Sequence, residues 1–368
     1  MSTGRVDSVL VIVTRQIGDV LLTTPLIHAA RQRWPAATID VLGFEGTLGM
    51  LRGNPDIHEL IATPPRLGLK GGLRLIRRLW HRYDLALVAE ASDRAHLIGA
   101  VASRCRAGLL PPRGGSNGWK RRLLAHAVTT SGDLGDVHVV QEKLQLLAPW
   151  QSGPAEAKLV APPSEPLPPA LSQRLAPGYV VVHTPSMWPY KQWPREHFRE
   201  LVGRLAEAGR QVVLTGGPAA EDRATVDAMR GAAPEDRLLD AGVLNFGQLA
   251  GLLRGAALYI GPDTSVTHLA AACGVPVLAI FGPTNPQRWA PWPALPREQV
   301  VHWHRRSPAQ ALGQVTLMQA ELPCVPCGKA GCEDHRMSRT DCLPAIRPER
   351  VADEALRILR AHSKTKPS

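Results

Sequence analysis

Two short apolar runs, Ala256 to Ile260 and Val275 to Phe281, flank a helix-like segment, and both end in glycine-containing turns with small hydroxyl residues. The first turn reads Gly261-Pro262-Asp263-Thr264-Ser265 and continues through Val266-Thr267-His268-Leu269-Ala270; the second reads Gly282-Pro283-Thr284. Strand, turn, helix and strand at this spacing leave room for little except a parallel sheet covered by helices. Unpaired N–H groups and the dipole at such a helix start favour an anion there, and a diphosphate fits that chemistry.

At 368 residues the chain is too long for one ordinary core, so two domains are expected. No apolar run approaches the roughly 20 residues that span a bilayer. Met1 to Asp7 lacks the basic and apolar regions of a secretory leader, so the protein is read as cytoplasmic. The formal charge of +11 is concentrated: between Arg66 and Arg122, 13 Lys and Arg face three acids, a net +10. Arg66, Lys70, Arg74, Arg77, Arg78 and Arg82 surround Leu73, Leu75, Ile76, Leu79 and Trp80, as in a basic amphipathic helix. Such a face suits anionic lipid or a phosphorylated acceptor, and equally a plain solvated surface. No nucleic-acid motif accompanies the charge, so that class is set aside.

Val9 to Val13 reads as a buried strand, followed by a helix over Val20 to Trp34, a strand over Thr38 to Leu42, and further strands at Ile57 to Ile61 and Leu85 to Val88. The stretch Arg104 to Lys120 carries no decodable pattern. Between Gly153 and Gly178 periodicity gives way to Pro154, Pro162, Pro163, Pro166, Pro168, Pro169 and Pro177, the composition of a stiff connection. Alternation then restarts: strands at Tyr179 to His183 and Gln211 to Leu214, helices at Arg195 to Ala208, Pro218 to Met229 and Asn245 to Leu253. The expected layout is an acceptor-side domain over 1–155, a linker over 156–178, a nucleotide-sugar domain over 179–345 and a closing helix and tail over 346–368.

Three segments resemble the ADP-heptose:lipopolysaccharide heptosyltransferases of glycosyltransferase family 9. They are Thr14-Arg15-Gln16-Ile17-Gly18-Asp19 running on to Leu26, His183-Thr184-Pro185-Ser186 with Lys191-Gln192-Trp193-Pro194, and Asp263-Thr264 through His268-Leu269-Ala270-Ala271. The resemblance implies a GT-B architecture, two Rossmann-like doubly wound α/β domains facing across a cleft. It implies Asp19, after Gly18, as the general base that takes the proton of an acceptor hydroxyl. It implies Lys191 as the charge that neutralises the leaving diphosphate. Thr184, Ser186, Thr264 and Ser265 are the implied hydroxyl and backbone contacts to phosphate. Asp263 is read as accepting sugar hydroxyls or capping its helix, and His268 as orienting the site or simply filling the core. Pro262 stands where relatives often carry Asn, and Glu221 or Asp222 is left to replace an acid that relatives carry near Pro218.

No Asp-x-Asp pair occurs, the arrangement by which metal-dependent sugar transferases hold a cation on the diphosphate. A displacement without a catalytic cofactor is therefore expected, and one base with no second carboxylate nucleophile fits inversion. Four of the six cysteines cluster as Cys324, Cys327, Cys332 and Cys342, with His335 among them, which admits a structural zinc or iron, packed thiols or disulfides. Cys105 and Cys273 read as ordinary packed residues.

The resulting expectation is transfer of heptose from ADP-heptose to a lipopolysaccharide core acceptor at an anionic membrane surface. The alternatives are a protein O-heptosyltransferase of the autotransporter-modifying kind and a nucleotide-sugar-binding protein or isomerase that reuses the fold.

Overall fold

A computed structural model describes residues 5–112, 117–151, 153, 155–296, 299 and 301–363. The leader reading at Met1 to Gly4, Arg113 of the basic segment, Pro154 and the tail from residue 364 lie outside them. The chain divides into two compact units, Met1–Pro162 and Pro163–Ser368, with the border inside the proline-rich stretch.

The first unit holds β1 (Ser8–Val13), β2 (Thr38–Phe44), β3 (Glu59–Thr63), β4 (Leu85–Val88), β5 (Cys105–Leu110) and β6 (His126–Thr129) in one sheet of order β3-β2-β1-β4-β5-β6. Every pairing is parallel. Helices cover both faces, as the alternation along β1 records. Val9, Val11 and Val13 enter a core with Leu26, Ile27 and Ala30, whereas Leu10 and Ile12 enter another with Leu79, Ala95 and Ile98.

The second unit repeats the plan with β7 (Val180–His183), β8 (Val212–Thr215), β9 (Leu238–Asp240), β10 (Leu258–Pro262), β11 (Val277–Phe281), β12 (Ala309–Leu312) and β13 (Val315–Gln319). Its order is β12-β13-β11-β10-β7-β8-β9, with β12 the single antiparallel strand at the edge. Each sheet thus reverses its winding once, between β1 and β4 in the first and between β7 and β10 in the second. Doubly wound folds bind ligands beyond the carboxyl ends of the strands at such reversals. The Pro348–Ser363 helix belongs to the second unit, packing Val351, Ala355 and Leu359 with Phe198, Leu201 and Leu205 of the Arg195–Glu207 helix.

Two expectations need correction. Val20 to Trp34 is not one helix: Ile17–Leu21 and Thr24–Arg33 are separate, with Pro25 in the first turn of the second. Proline has no N–H to carry a helix through that position but suits its start. Arg104 to Lys120 is partly regular, holding β5 and the start of the Gly118–Leu123 helix. Its cations hid the pattern because some point inward: Arg106 donates to the Leu123 carbonyl at 2.6 Å, and buried Lys120 donates to the Ala91 carbonyl at 2.9 Å. Among the described residues no helix is long and apolar enough to cross a membrane.

Candidate active site

In the first unit the reversal point is occupied by the turn after β1. Buried Thr14 donates its N–H and its hydroxyl to the Glu90 carboxylate, at 2.5 and 2.7 Å, and Ser92 Oγ donates to the same group. Glu90 follows β4, so this carboxylate ties together the ends of the two strands that flank the reversal. The chain then enters the Ile17–Leu21 helix with Gly18 and Asp19 in its first turn. The Asp19 side chain keeps 15% of its surface exposed and lies 3.6 Å from Arg15 Nε.

A five-residue helix leaves most of its carbonyls without helical partners. The Asp19 carbonyl gains two: Thr23 Oγ1 donates to it at 2.7 Å and Lys143 Nζ at 2.8 Å, while the same ammonium donates to Thr23 Oγ1 at 2.7 Å. Lys143 sits on the Val139–Leu144 helix, started by a capping box of His138 with Gln141. Burial pushes its pKa down to about 8, against the pull of Asp19, Glu90 and Glu142; Arg15 adds to the lowering. Neighbouring Glu142 is buried as well, accepting from Ser131 N and Oγ at 2.7 and 2.8 Å.

In the second unit β7, β10 and β11 are adjacent, and each ends in a segment that supplies polar groups. After β10 comes buried Asp263, whose Oδ2 lies 2.6 Å from Lys191 Nζ. Lys191 is carried by a 3₁₀ turn, Pro189–Lys191, in the loop after β7. Thr284, after β11, also hydrogen-bonds Asp263. Burial alone would raise the Asp263 carboxyl; the Lys191 ammonium and His268 outweigh it and hold the group below its ordinary value. Asp263 therefore does not cap its helix. Thr264 is the N-cap, with no side-chain hydrogen bond in that role, so its start keeps N–H groups without a capping partner.

The loop after β7 is stapled by Gln192, which accepts from Ser186 N at 2.9 Å and donates to the Thr184 carbonyl at 2.9 Å. Thr184 itself is buried, and among the described residues its hydroxyl has no hydrogen-bond partner. A buried hydroxyl of that kind is costly to leave unpaired, which suits a ligand oxygen. Gly261 is required for a packing reason. A Cβ there would lie 2.3 Å from the Tyr259 hydroxyl, which is hydrogen-bonded at 2.9 Å to Thr267 of the Ser265–Ala272 helix. Past β8, of the two carboxylates left open by the sequence, Glu221 is exposed. Asp222 folds back on the Gly217 N–H, its carboxyl raised first by burial and then by Glu221.

The cysteine cluster departs from the metal expectation. Among the described residues no group of three or more His, Cys, Asp or Glu side chains is placed to hold a metal ion. Cys324 and Cys332 are exposed, Cys327 is half-buried and Cys342 is buried in the core beside Leu343. Burial first, with Cys327 and Cys332 nearby, pushes the Cys342 thiol up to about 11, against the hydrogen bond from Thr340. His335 is turned to Glu333, 2.8 Å away. The four cysteines are free thiols.

The structure thus brings Lys191, Asp263 and His268 together, places Thr184, Thr264 and Ser265 just past the carboxyl ends of β7 and β10, and keeps Gly18 with Asp19. Sequence reasoning missed Glu90 and Lys143, and it read Thr284 and Gln192 only as members of their motifs, without the contacts they make here. Glu90 was within reach, since it closely follows a legible strand next to a motif-bearing one. Lys143 lies in a helix the sequence did not announce.

The profile of glycosyltransferase family 9 (heptosyltransferase) matches residues 72–319. Lipopolysaccharide heptosyltransferase 3 of Escherichia coli (strain K12) is 31% identical over 293 residues, covering 76% of this chain and 83% of that protein. Among solved structures, E. coli ADP-heptose lps heptosyltransferase II has a TM-score of 0.70 at 21% identity, over 97% of this chain and 99% of that one. E. coli heptosyltransferase WaaC with ADP gives 0.69 at 18% identity, over 95% and 99%. These structural likenesses concern the fold, the GT-B arrangement of two Rossmann-like α/β units.

Proposed function

Since the chain belongs to glycosyltransferase family 9, the heptosyltransferases, we propose that it moves heptose from ADP-heptose to a lipopolysaccharide core acceptor by an inverting, metal-independent displacement. In this reading Asp19 takes the proton of the acceptor hydroxyl as that oxygen attacks the anomeric carbon. The carbon–oxygen bond to the diphosphate breaks as the new glycosidic bond forms, and the electron pair leaves with ADP. Lys191, the N–H groups at the start of the Ser265–Ala272 helix and the Thr184 hydroxyl stabilise the charge that grows on that leaving group.

The observation that carries the reading is the Lys191–Asp263 pair at the winding reversal of the second sheet, with Thr284 and His268 around it. A diphosphate arriving there meets a cation already held in place. Asp263 keeps that cation positioned before the ligand comes and is free to accept from a sugar hydroxyl afterwards. Asp222, in the first turn of the Ala220–Asp227 helix that follows β8, is the carboxylate we assign to the nucleoside. The absence of Asp-x-Asp in the sequence supports the metal-independent form, with Lys191 doing a cation's work. The acceptor's lipid sets the place of action, the cytoplasmic face of the inner membrane.

Calorimetric titration with ADP, UDP and GDP tests the donor assignment. Binding of ADP in preference to the other two, weakened in Lys191→Ala, is the expected result. Preference for UDP or GDP would remove ADP-heptose as donor.

A further inference from the structure

The Leu69–Leu79 helix exposes apolar residues in a regular stripe. Leu69 is 90% exposed, Leu73 57%, Ile76 41% and the following Trp80 62%. Their spacing of four, three and four places them on one face of a 3.6-residue helix. The helix is anchored from a different face, by Leu79, 1% exposed, and half-buried Leu75, which pack with Leu10, Ile12 and Ile98. The sequence marks this segment as a basic amphipathic helix; the structure divides its apolar side chains between core and solvent.

Cations lie along the border of the stripe. Arg78 pairs with Glu59 at 2.5 Å, and Arg82 reaches Glu59 at 3.8 Å and Asp40 at 4.0 Å. Among the described residues Arg66, Lys70, Arg74 and Arg77 take part in no ion pair. On a helical projection Lys70, Arg74 and Arg77 share the flank beside the stripe, and no acid occurs between Leu69 and Trp80. An exposed apolar row with a tryptophan at its end and uncompensated cations along its side has the composition of an interfacial helix. Its apolar side chains enter the acyl boundary while the cations meet phosphates. A protein partner would need acids facing these cations, and a second copy of this strongly basic helix supplies none.

We propose that the Leu69–Leu79 helix with Trp80 docks the enzyme on an anionic phospholipid bilayer, Leu69, Leu73, Ile76 and Trp80 inserting and Lys70, Arg74 and Arg77 binding headgroup phosphate. The inference deepens the proposed acceptor reading, on which it rests, by naming the surface that brings the enzyme to its lipid-borne substrate. It concerns the bilayer itself rather than the sugar acceptor.

The test is sedimentation of the full chain with phosphatidylglycerol/phosphatidylethanolamine vesicles, against phosphatidylcholine vesicles, with no nucleotide sugar present. Failure here leaves transfer standing, and failure of transfer leaves vesicle binding standing. Wild-type protein is expected to bind the anionic vesicles and to be released by salt. Arg74→Glu/Arg77→Glu is expected to weaken binding by at least tenfold, since one cation near such a surface is worth about fivefold. Leu73→Glu/Trp80→Glu, at exposed positions, is expected to abolish binding while the melting temperature stays put. Equal binding by the two double variants and wild type would overturn the proposal. So would no wild-type binding, binding unaffected by lipid charge, or a concentration-dependent dimer lost in Leu73→Glu/Trp80→Glu, which would make the face a contact between copies.

Discussion

Lys143 Nζ donates to the main-chain oxygen of Asp19 at 2.8 Å, so a buried cation holds the turn that carries the proposed base. It does so from the backbone side, leaving the Asp19 carboxylate, 15% exposed, out of the contact.

Replacing this ammonium is expected to separate positioning from binding. In Lys143→Met the Asp19 turn loses one of its two carbonyl partners, and transfer is expected to fall by about 10²-fold, as for a small misplacement of a reacting group. ADP affinity is expected to stay within about twofold of wild type, calorimetry being the check. The pH dependence has a definite sign. The folded pKa of about 8 lies below the ordinary 10.5, so between those values the unfolded chain binds the extra proton and stability from this residue rises with pH. The charges facing the ammonium are Asp19, Glu90, Glu142 and Arg15. Denaturant titrations at pH 8 and pH 10 should show the rise in wild type relative to Lys143→Met.

Lys191→Ala leaves Asp263 buried without its cation. Breaking such a pair costs about 3 kcal/mol. In the wild type the carboxyl lies below its ordinary value, so its stabilisation is present above that value and is lost as pH falls through the lower, folded one. Without Lys191 the burial contribution gains weight and the sign is expected to reverse, making the variant more stable at pH 5 than at pH 7 relative to wild type. Lys191→Ala/Asp263→Asn is expected to recover most of the stability and none of the nucleotide affinity. Thermal melts at the two pH values, with ADP titration, decide it.

Gly261→Ala places a methyl group 2.3 Å from the Tyr259 hydroxyl, a backbone-borne clash with a fully buried ring. Overpacking of this kind costs about 1–3 kcal/mol. The ring's hydroxyl holds Thr267, so the displacement is expected to reach the helix start and weaken ADP binding at least fivefold. An unchanged melting temperature and affinity would remove the packing role assigned to Gly261.

Much of this was legible in the sequence because parallel strands buried on both faces, such as Val9 to Val13 and Val277 to Phe281, announce themselves as apolar runs. The motif turns at Gly18-Asp19 and Asp263-Thr264 stood next to such runs and could be placed with them. The stretch from Cys105 to Leu144 was opaque because its polar residues are structural: Arg106, Lys120, Glu142 and Lys143 spend their charges on backbone groups and buried partners. Side chains that fold inward erase the alternation by which a strand or helix is recognised. The Lys191–Asp263 pair was hidden for another reason, since 72 residues separate its members and only the adjacency of β7 and β10 unites them. The spacing of the thiol cluster admitted a ligand set, packed thiols or disulfides, and among the described residues the four cysteines are free thiols with no metal-holding group.

The most direct test of the account is a transfer assay with ADP-heptose and a heptose-terminated lipopolysaccharide core acceptor, read by mass spectrometry for wild type and Asp19→Ala. The account predicts one added heptose with release of ADP by the wild type. Asp19→Ala should lose transfer by about 10³-fold or more while still binding ADP, within the range for removing a positioned base. Full transfer by Asp19→Ala, or no transfer by wild-type protein that binds ADP, would contradict it.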